Sequence, residues 1–154
     1  MPIFVVQKHD ARRLHYDFRL EVDGVLRSWA VPRGPSTDPA DKRLAVPVDD
    51  HALDYADFEG VIEQGSYGAG AVIVWDTGEY ENASRRPMPE ALAAGHAVFR
   101  LEGKKLRGRW ALQRVAEDRW LLIKAADEHA DRERDLLVER PESALTGRAI
   151  EELG

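Results

Sequence analysis

Residues 14–22, Leu-His-Tyr-Asp-Phe-Arg-Leu-Glu-Val, alternate strictly between apolar and polar side chains. A period of two belongs to a β-strand with one face turned to a core, so Leu14, Tyr16, Phe18, Leu20 and Val22 share one face while His15, Asp17, Arg19 and Glu21 share the other. Asp23-Gly24 follows, a pair suited to positive φ at both positions of a two-residue turn, and Val25–Val31 then returns as the antiparallel partner. A chain committed to this hairpin is not all-helical, and the rest of the sequence keeps to short apolar runs. Pro32–Lys42, rich in Pro, Asp, Ser and Gly, reads as a loop. Arg43–Val48 reads as a short strand that Pro47 places at an edge or bulge, and residues 49–57 as loop. Phe58–Ile62, Ala71–Trp75, Ala97–Glu102, Leu106–Val115 and Arg119–Ala125 are further strands. Two short helices are expected, Pro89–Ala94 ended by Gly95 and a stretch near Ser143–Leu153 after Pro141. Many short strands with one or two helices predict a mainly β fold, an antiparallel barrel or sandwich.

The 154 residues, 44% hydrophobic and 32% charged, suit one domain over 1–154, with its core at about 4–125 and a charged C-terminal segment at 126–154. With no cysteine, disulfides, thiolate ligands and cysteine nucleophiles are excluded, so any metal must be held by His, Asp or Glu. The first residues hold no apolar stretch long enough for a signal peptide or a membrane span, which predicts a cytoplasmic protein with no membrane partner. The net charge of −6 is unevenly placed: +2 over residues 1–48, −8 over 49–98, +5 over 99–124 and −5 over 125–154. A phosphate-binding face drawn from the two basic blocks is one reading, and ordinary solvated faces are the other. Gly65-Ser66-Tyr67-Gly68-Ala69-Gly70 precedes a strand rather than a helix, so it reads as a tight turn and not as a dinucleotide or P-loop site.

The polar face of the first hairpin strand carries the chemistry. His15 and Asp17, two apart on a strand, aim the same way, and His9 lies just upstream to complete a His, His, Asp set for one divalent ion. A solvated strand face explains Arg19 and Glu21 equally well, and His15 and Asp17 less well. This ligand set serves non-haem iron oxygenases, or metal-assisted phosphoryl chemistry where cations surround it. Arg19, with Arg33 and Arg43 flanking the next loop, favours phosphate. His51, after Asp49-Asp50, suits a general acid or a phosphate ligand, with Tyr55 to orient it; ordinary loop residues are the other reading. His96 and His129 read as structural or exposed.

Phe4-Val5-Val6-Gln7-Lys8-His9-Asp10, Leu14-His15-Tyr16-Asp17-Phe18-Arg19-Leu20-Glu21 and Ser28-Trp29-Ala30-Val31-Pro32-Arg33-Gly34-Pro35 together resemble the 3′-phosphoesterase domain of bacterial DNA ligase D and its stand-alone relatives. Arg43-Leu44-Ala45-Val46, Asp50-His51-Ala52-Leu53-Asp54-Tyr55, Phe58-Glu59-Gly60 and Tyr67-Gly68-Ala69-Gly70 continue the resemblance, in order, over most of residues 4–125. It implies a small antiparallel β-barrel with a site in a surface groove. Its cofactor would be a divalent metal, manganese first and cobalt or zinc as substitutes. The implied activity trims 3′ ends of DNA or RNA-DNA primer-templates in end joining, beside a separate ligase, polymerase or Ku. By that resemblance His9, His15 and Asp17 hold the metal, and Arg19, Arg33 and His51 contact the scissile phosphate. Arg43 and Tyr55 support them, and Asp49 is a further acidic candidate. Arg33 stands where the family often has lysine, a change from a point charge to a planar fork. Ligase-linked members have a charged arm upstream, whereas Phe4 is only three residues from the start of this sequence. The expectation is therefore that 3′-phosphate removal outpaces ribonucleoside removal. The competing readings are a catalytically weak DNA-end-binding module that recruits a ligase or polymerase, and an iron oxygenase.

Overall fold

The computed structural model describes residues 1–63 and 69–153. These form nine strands: β1 (Ile3–Asp10), β2 (Leu14–Val22), β3 (Val25–Val31), β4 (Arg43–Ala52), β5 (Gly60–Ile62), β6 (Gly70–Asn82), β7 (His96–Gly103), β8 (Arg107–Ala116) and β9 (Arg119–Lys124). Two short helices, α1 (Met88–Ala93) and α2 (Leu136–Glu139), and two 3-10 helices, Leu53–Asp57 and Ile150–Leu153, complete the set. Eight strands close an antiparallel barrel in the order β1-β2-β3-β4-β9-β8-β7-β6, with β6 returning to β1. The mainly β barrel with two short helices is the expected architecture.

The β2–β3 hairpin turns where expected, with Asp23 at φ 51° and Gly24 at φ 82°. Other boundaries differ for physical reasons. The N-terminal residues, not read as a strand, form β1, because β2 and β6 supply hydrogen-bond partners on both its sides. β4 runs past Val48 to Ala52, so residues 49–52 are strand and 53–57 a 3-10 helix rather than loop. β9 pairs with β4 only over Arg43–Ala45, so Pro47 sits where β4 has β3 as its one partner. β6 spans thirteen residues because β1 pairs along most of it, while β5 and β7 divide its other edge. The helix expected near Ser143–Leu153 shrinks to Ile150–Leu153: Gly147 adopts φ 74°, and the Ser143 hydroxyl accepts from the Leu145 and Thr146 amides, which makes a turn. The expected tight turn at 65–70 lies mostly outside the described residues. Within them, Gly70 has φ 125°, and a Cβ there would sit 2.1 Å from the Asp10 carbonyl oxygen, so only glycine lets β6 close on the end of β1.

The barrel interior is filled from every wall. Phe4, Val6, Phe18, Leu20, Trp29, Trp75, Phe99, Trp110, Leu112 and Trp120 are all buried in one cluster, and each such side chain contributes about 1.5–3 kcal/mol relative to exposure. The alternation in β2 holds, since Tyr16, Phe18, Leu20 and Val22 are buried inside and Leu14 at the strand end is exposed. The opposite face is not a solvated one: Asp17 and Arg19 are 7% and 3% exposed. The cause is a smaller cluster on the outside of the barrel, where Val5, Leu26 and Val74 pack under Tyr55 and Ala56 of the 3-10 helix Leu53–Asp57. That helix roofs part of β1, β2 and β3 and turns their outer face into a groove.

Candidate active site

The β1–β2 register sets His9 opposite His15 and Gln7 opposite Asp17, so period two puts all four on the outer face. The two imidazole rings lie 4.9 Å apart. One nitrogen or oxygen from each of His9, His15 and Asp17 falls within 4.8 Å of the other two. His15 Nε2 is 3.1 Å from Asp17 Oδ1, and His9 Nδ1 is 3.7 Å from Asp17 Oδ2. Donors about 2.0–2.2 Å from a shared ion lie about 3 Å apart when adjacent, so these three suit one divalent cation. His15 supplies a second argument, because its Nδ1 is 3.3 Å from the Arg13 carbonyl oxygen while Nε2 faces the Asp17 carboxylate. A neutral ring would aim a lone pair at one of those oxygens. The arrangement therefore calls for positive charge at Nε2, from a second proton or from a metal ion, with Nδ1–H anchored on a carbonyl as metal-ligating histidines commonly are.

The charges obey the same geometry. The Asp17 hydrogen bond raises the His15 pKa against the opposing effect of burial. Burial alone would raise Asp17, yet hydrogen bonds from His15 and His9 and the Arg19 charge hold its carboxyl well below the usual range. Burial lowers Arg19, and Asp17 opposes that shift; a guanidinium starts high enough to stay charged. Its fork is held at three points. Nε donates to Gln7 Oε1 at 2.7 Å, one terminal nitrogen donates to Ser28 Oγ at 2.8 Å, and the other lies 3.4 Å from Asp17 Oδ2. The group also sits 5.3 Å from the Tyr55 ring centre.

His51 reaches this face through a bulge. Val48 is opposite Ser28 but His51, not Asp50, is opposite Leu26, so one extra β4 residue reverses the alternation. Its ring stacks on Tyr55 at 4.5 Å, and Tyr55 on Phe58 at 5.2 Å. Burial first, and the Arg19 charge second, push the His51 pKa down, which leaves it neutral at pH 7. Burial raises the Tyr55 phenol, which therefore stays protonated.

A groove of about 380 Å³ unites His9, His15, Asp17, Arg19, Asp49, His51 and Tyr55, and adds an apolar wall of Ala11, Ala30, Val48 and Ile62. Two expected residues are elsewhere. Arg33 is exposed in the turn beyond β3 and does not line the groove. Arg43 lines a separate groove with Thr37, Asp38, Asp41 and Arg132, and lies 3.7 Å from Asp41. No residue of the basic 99–124 block lines the groove either, and β8, which carries Arg107, Arg109 and Arg114, is four strands from β2 in both directions round the barrel. Gln7 and Ser28 were missed. Gln7 lies two residues before His9, so the alternation that paired His15 with Asp17 marks it too once β1 is known to be a strand. Ser28, opposite Arg19 across β3, carries no signal that survives without the register.

Fold and site together define a closed β-barrel with a His, His, Asp cluster that could hold a metal ion and a buried arginine in one external groove. The sequence model of a family described as the DNA ligase D 3′-phosphoesterase domain matches residues 7–114, and the chain belongs to that family. It is 56% identical over 96% of its length to the multifunctional non-homologous end joining protein LigD of Pseudomonas aeruginosa. It is 49% identical over 77% of its length to the corresponding DNA repair protein of Mycobacterium tuberculosis, and 44% over 86% to LigD of Mycolicibacterium smegmatis. These alignments cover 18%, 15% and 18% of the respective relatives, so the chain corresponds to less than a fifth of each. Among the described residues no helix is long and apolar enough to cross a membrane.

Proposed function

We propose that this chain, as one domain, is a metal-dependent phosphoesterase that processes DNA 3′ ends, removing a 3′-phosphate and, more slowly, a terminal ribonucleoside. The observation that carries the reading is the immobilised Arg19 fork beside the His9, His15 and Asp17 ligand set in one groove. The family and its end-joining relatives support DNA ends as the substrate, in primer-template or RNA-DNA form, with a ligase, polymerase or Ku as working partners. Manganese is the proposed ion, and the same nitrogen and oxygen donors accept cobalt or zinc. When bound, it supplies Lewis-acid charge at a phosphate oxygen. Arg19 has two N–H groups beyond those its protein partners occupy, and these would bind the equatorial phosphate oxygens as their charge grows. His51, neutral and stacked, would hold the phosphate through a ring nitrogen, and Tyr55 would fix the plane of that ring. Arg33 and Arg43, outside the groove, would meet only substrate that extends past it.

The test is release of inorganic phosphate from a 3′-phosphorylated primer-template. Activity that a chelator abolishes and manganese restores is expected. Binding of the DNA end without turnover would instead make this an end-recognition module, and oxygen uptake with ferrous iron and a 2-oxo acid would make it an oxygenase.

A further inference from the structure

Gln7 is wholly buried and lies outside the His9, His15 and Asp17 cluster. Its amide is used at both ends: Oε1 accepts from Arg19 Nε at 2.7 Å, while Nε2 donates to the Tyr55 carbonyl at 3.1 Å and the Phe58 carbonyl at 3.5 Å. The partners dictate its orientation. A flipped amide would set N–H against the guanidinium N–H and its oxygen against two carbonyl oxygens, three contacts between like groups in a site without exposure. Tyr55 is in turn the residue on which His51 stacks, and its ring lies beside Arg19. One side chain thus joins the cation, the roof helix and, through the roof, the histidine.

We propose that Gln7 is a positioning residue: its amide locks the Arg19 fork and the Leu53–Asp57 roof in register, so that Arg19 and His51 meet one phosphate as a single preformed unit. This rests on the reading that the groove binds phosphate. Ser28 completes the lock from the other side, because its hydroxyl donates to the Leu26 carbonyl at 3.0 Å and so presents only its oxygen to Arg19. The imidazoles of His9 and His15 are held separately, by the β1–β2 register and the Arg13 carbonyl, and Asp17 meets Arg19 through a terminal nitrogen that Gln7 does not touch. The role of Gln7 therefore predicts lost phosphate binding at unchanged metal binding.

The experiment uses the full chain loaded with manganese and inorganic phosphate as the probe, read by calorimetry. The Arg19 Nε–H resonance is followed in a magnesium-loaded sample and identified by its loss in Arg19→Lys. Gln7→Met keeps length and volume but removes acceptor and donor. It should bind phosphate about tenfold more weakly, the scale of one hydrogen bond to a charged group, with manganese affinity unchanged and rapid exchange of the Arg19 Nε–H. In an Arg19→Lys background the same change should add nothing, because the lock then has no fork to hold. Gln7→Glu restores the acceptor and should restore slow exchange, which keeps the test decisive if the methionine variant folds poorly. Wild-type phosphate affinity in Gln7→Met, a loss fully additive with Arg19→Lys, or an equal loss of manganese affinity would overturn the assignment. Wild-type protein that binds no phosphate at all would overturn the reading of the groove instead, while the exchange of the Nε–H still reports separately whether Gln7 holds Arg19.

Discussion

Asp17 serves two masters, and its replacements separate them. It is a candidate ligand beside His9 and His15 and also the counter-charge of a buried Arg19. His9→Ala and His15→Ala should abolish manganese binding and phosphate release while thermal stability stays within a few degrees. Asp17→Ala should abolish both and also destabilise the fold by about 3 kcal/mol, because removing one partner of a buried ion pair leaves the other uncompensated. Calorimetric titration with manganese and denaturant unfolding of the three variants check this, and equal stability losses in all three would refute the double role. The pairing of His15 with Asp17 was legible from the period of a strand, whereas His9 joins them through the β1–β2 register. What made the face a site was not legible. The burial of Asp17 and Arg19 depends on a roof contributed from residues 53–57, and no local pattern in 14–22 announces a cover that arrives from so far along the chain.

At the scale of elements, the close approach of β6 to β1 is the part of the frame most exposed to a single substitution. Gly70→Ala must accommodate both a Cβ 2.1 Å from the Asp10 carbonyl and a φ of 125°, so a cost of about 1–3 kcal/mol is expected. The same change should weaken manganese binding, because the strand end it displaces carries His9; an alanine variant with both quantities unchanged would show that the contact relaxes freely. The C-terminal segment is anchored by Lys105, whose Nζ donates to the Arg140 and Glu142 carbonyls and lies 4.5 Å from the Trp75 ring centre. Burial pushes its pKa down to about 8 from 10.5, with Glu142 pulling the other way. Between those values the unfolded chain holds more protons, so this group adds stability as pH rises through the window, by up to about 1.4 kcal/mol per pH unit. Denaturant unfolding at pH 7 to 10 should yield a slope that Lys105→Met removes. Of these elements the hairpin was readable from Asp23-Gly24 and the edge position from Pro47. The bulge that aims His51 was not, because an extra residue in one strand is defined only against the partner strand.

For the whole molecule, the proposed binding of a DNA end must be reconciled with a net charge of −6. No basic residue of 99–124 lines the groove. Arg107 and Arg109 leave the outer side of β8, opposite the groove. Opposite walls of a filled β structure are at least about 10 Å apart at the backbone, and outward side chains are further still, beyond the screening length of about 8 Å at physiological ionic strength. Charge blocks counted along the sequence could not reveal this, because strand order round the barrel, not chain order, decides which cations share a surface. Binding of a DNA end should therefore draw on the groove cations alone. Affinity for a 3′-phosphorylated primer-template should fall as salt rises, with a slope of about −0.9 for each phosphate neutralised. Arg19→Lys should weaken binding while preserving that slope, since the charge remains and only the fork is lost. Arg107→Gln combined with Arg109→Gln should leave both affinity and slope at wild-type values. Fluorescence anisotropy across a salt series measures all three proteins. A reduced slope in the Arg107 and Arg109 double variant would mean that DNA wraps to the far wall, and that the groove is only one end of a longer track.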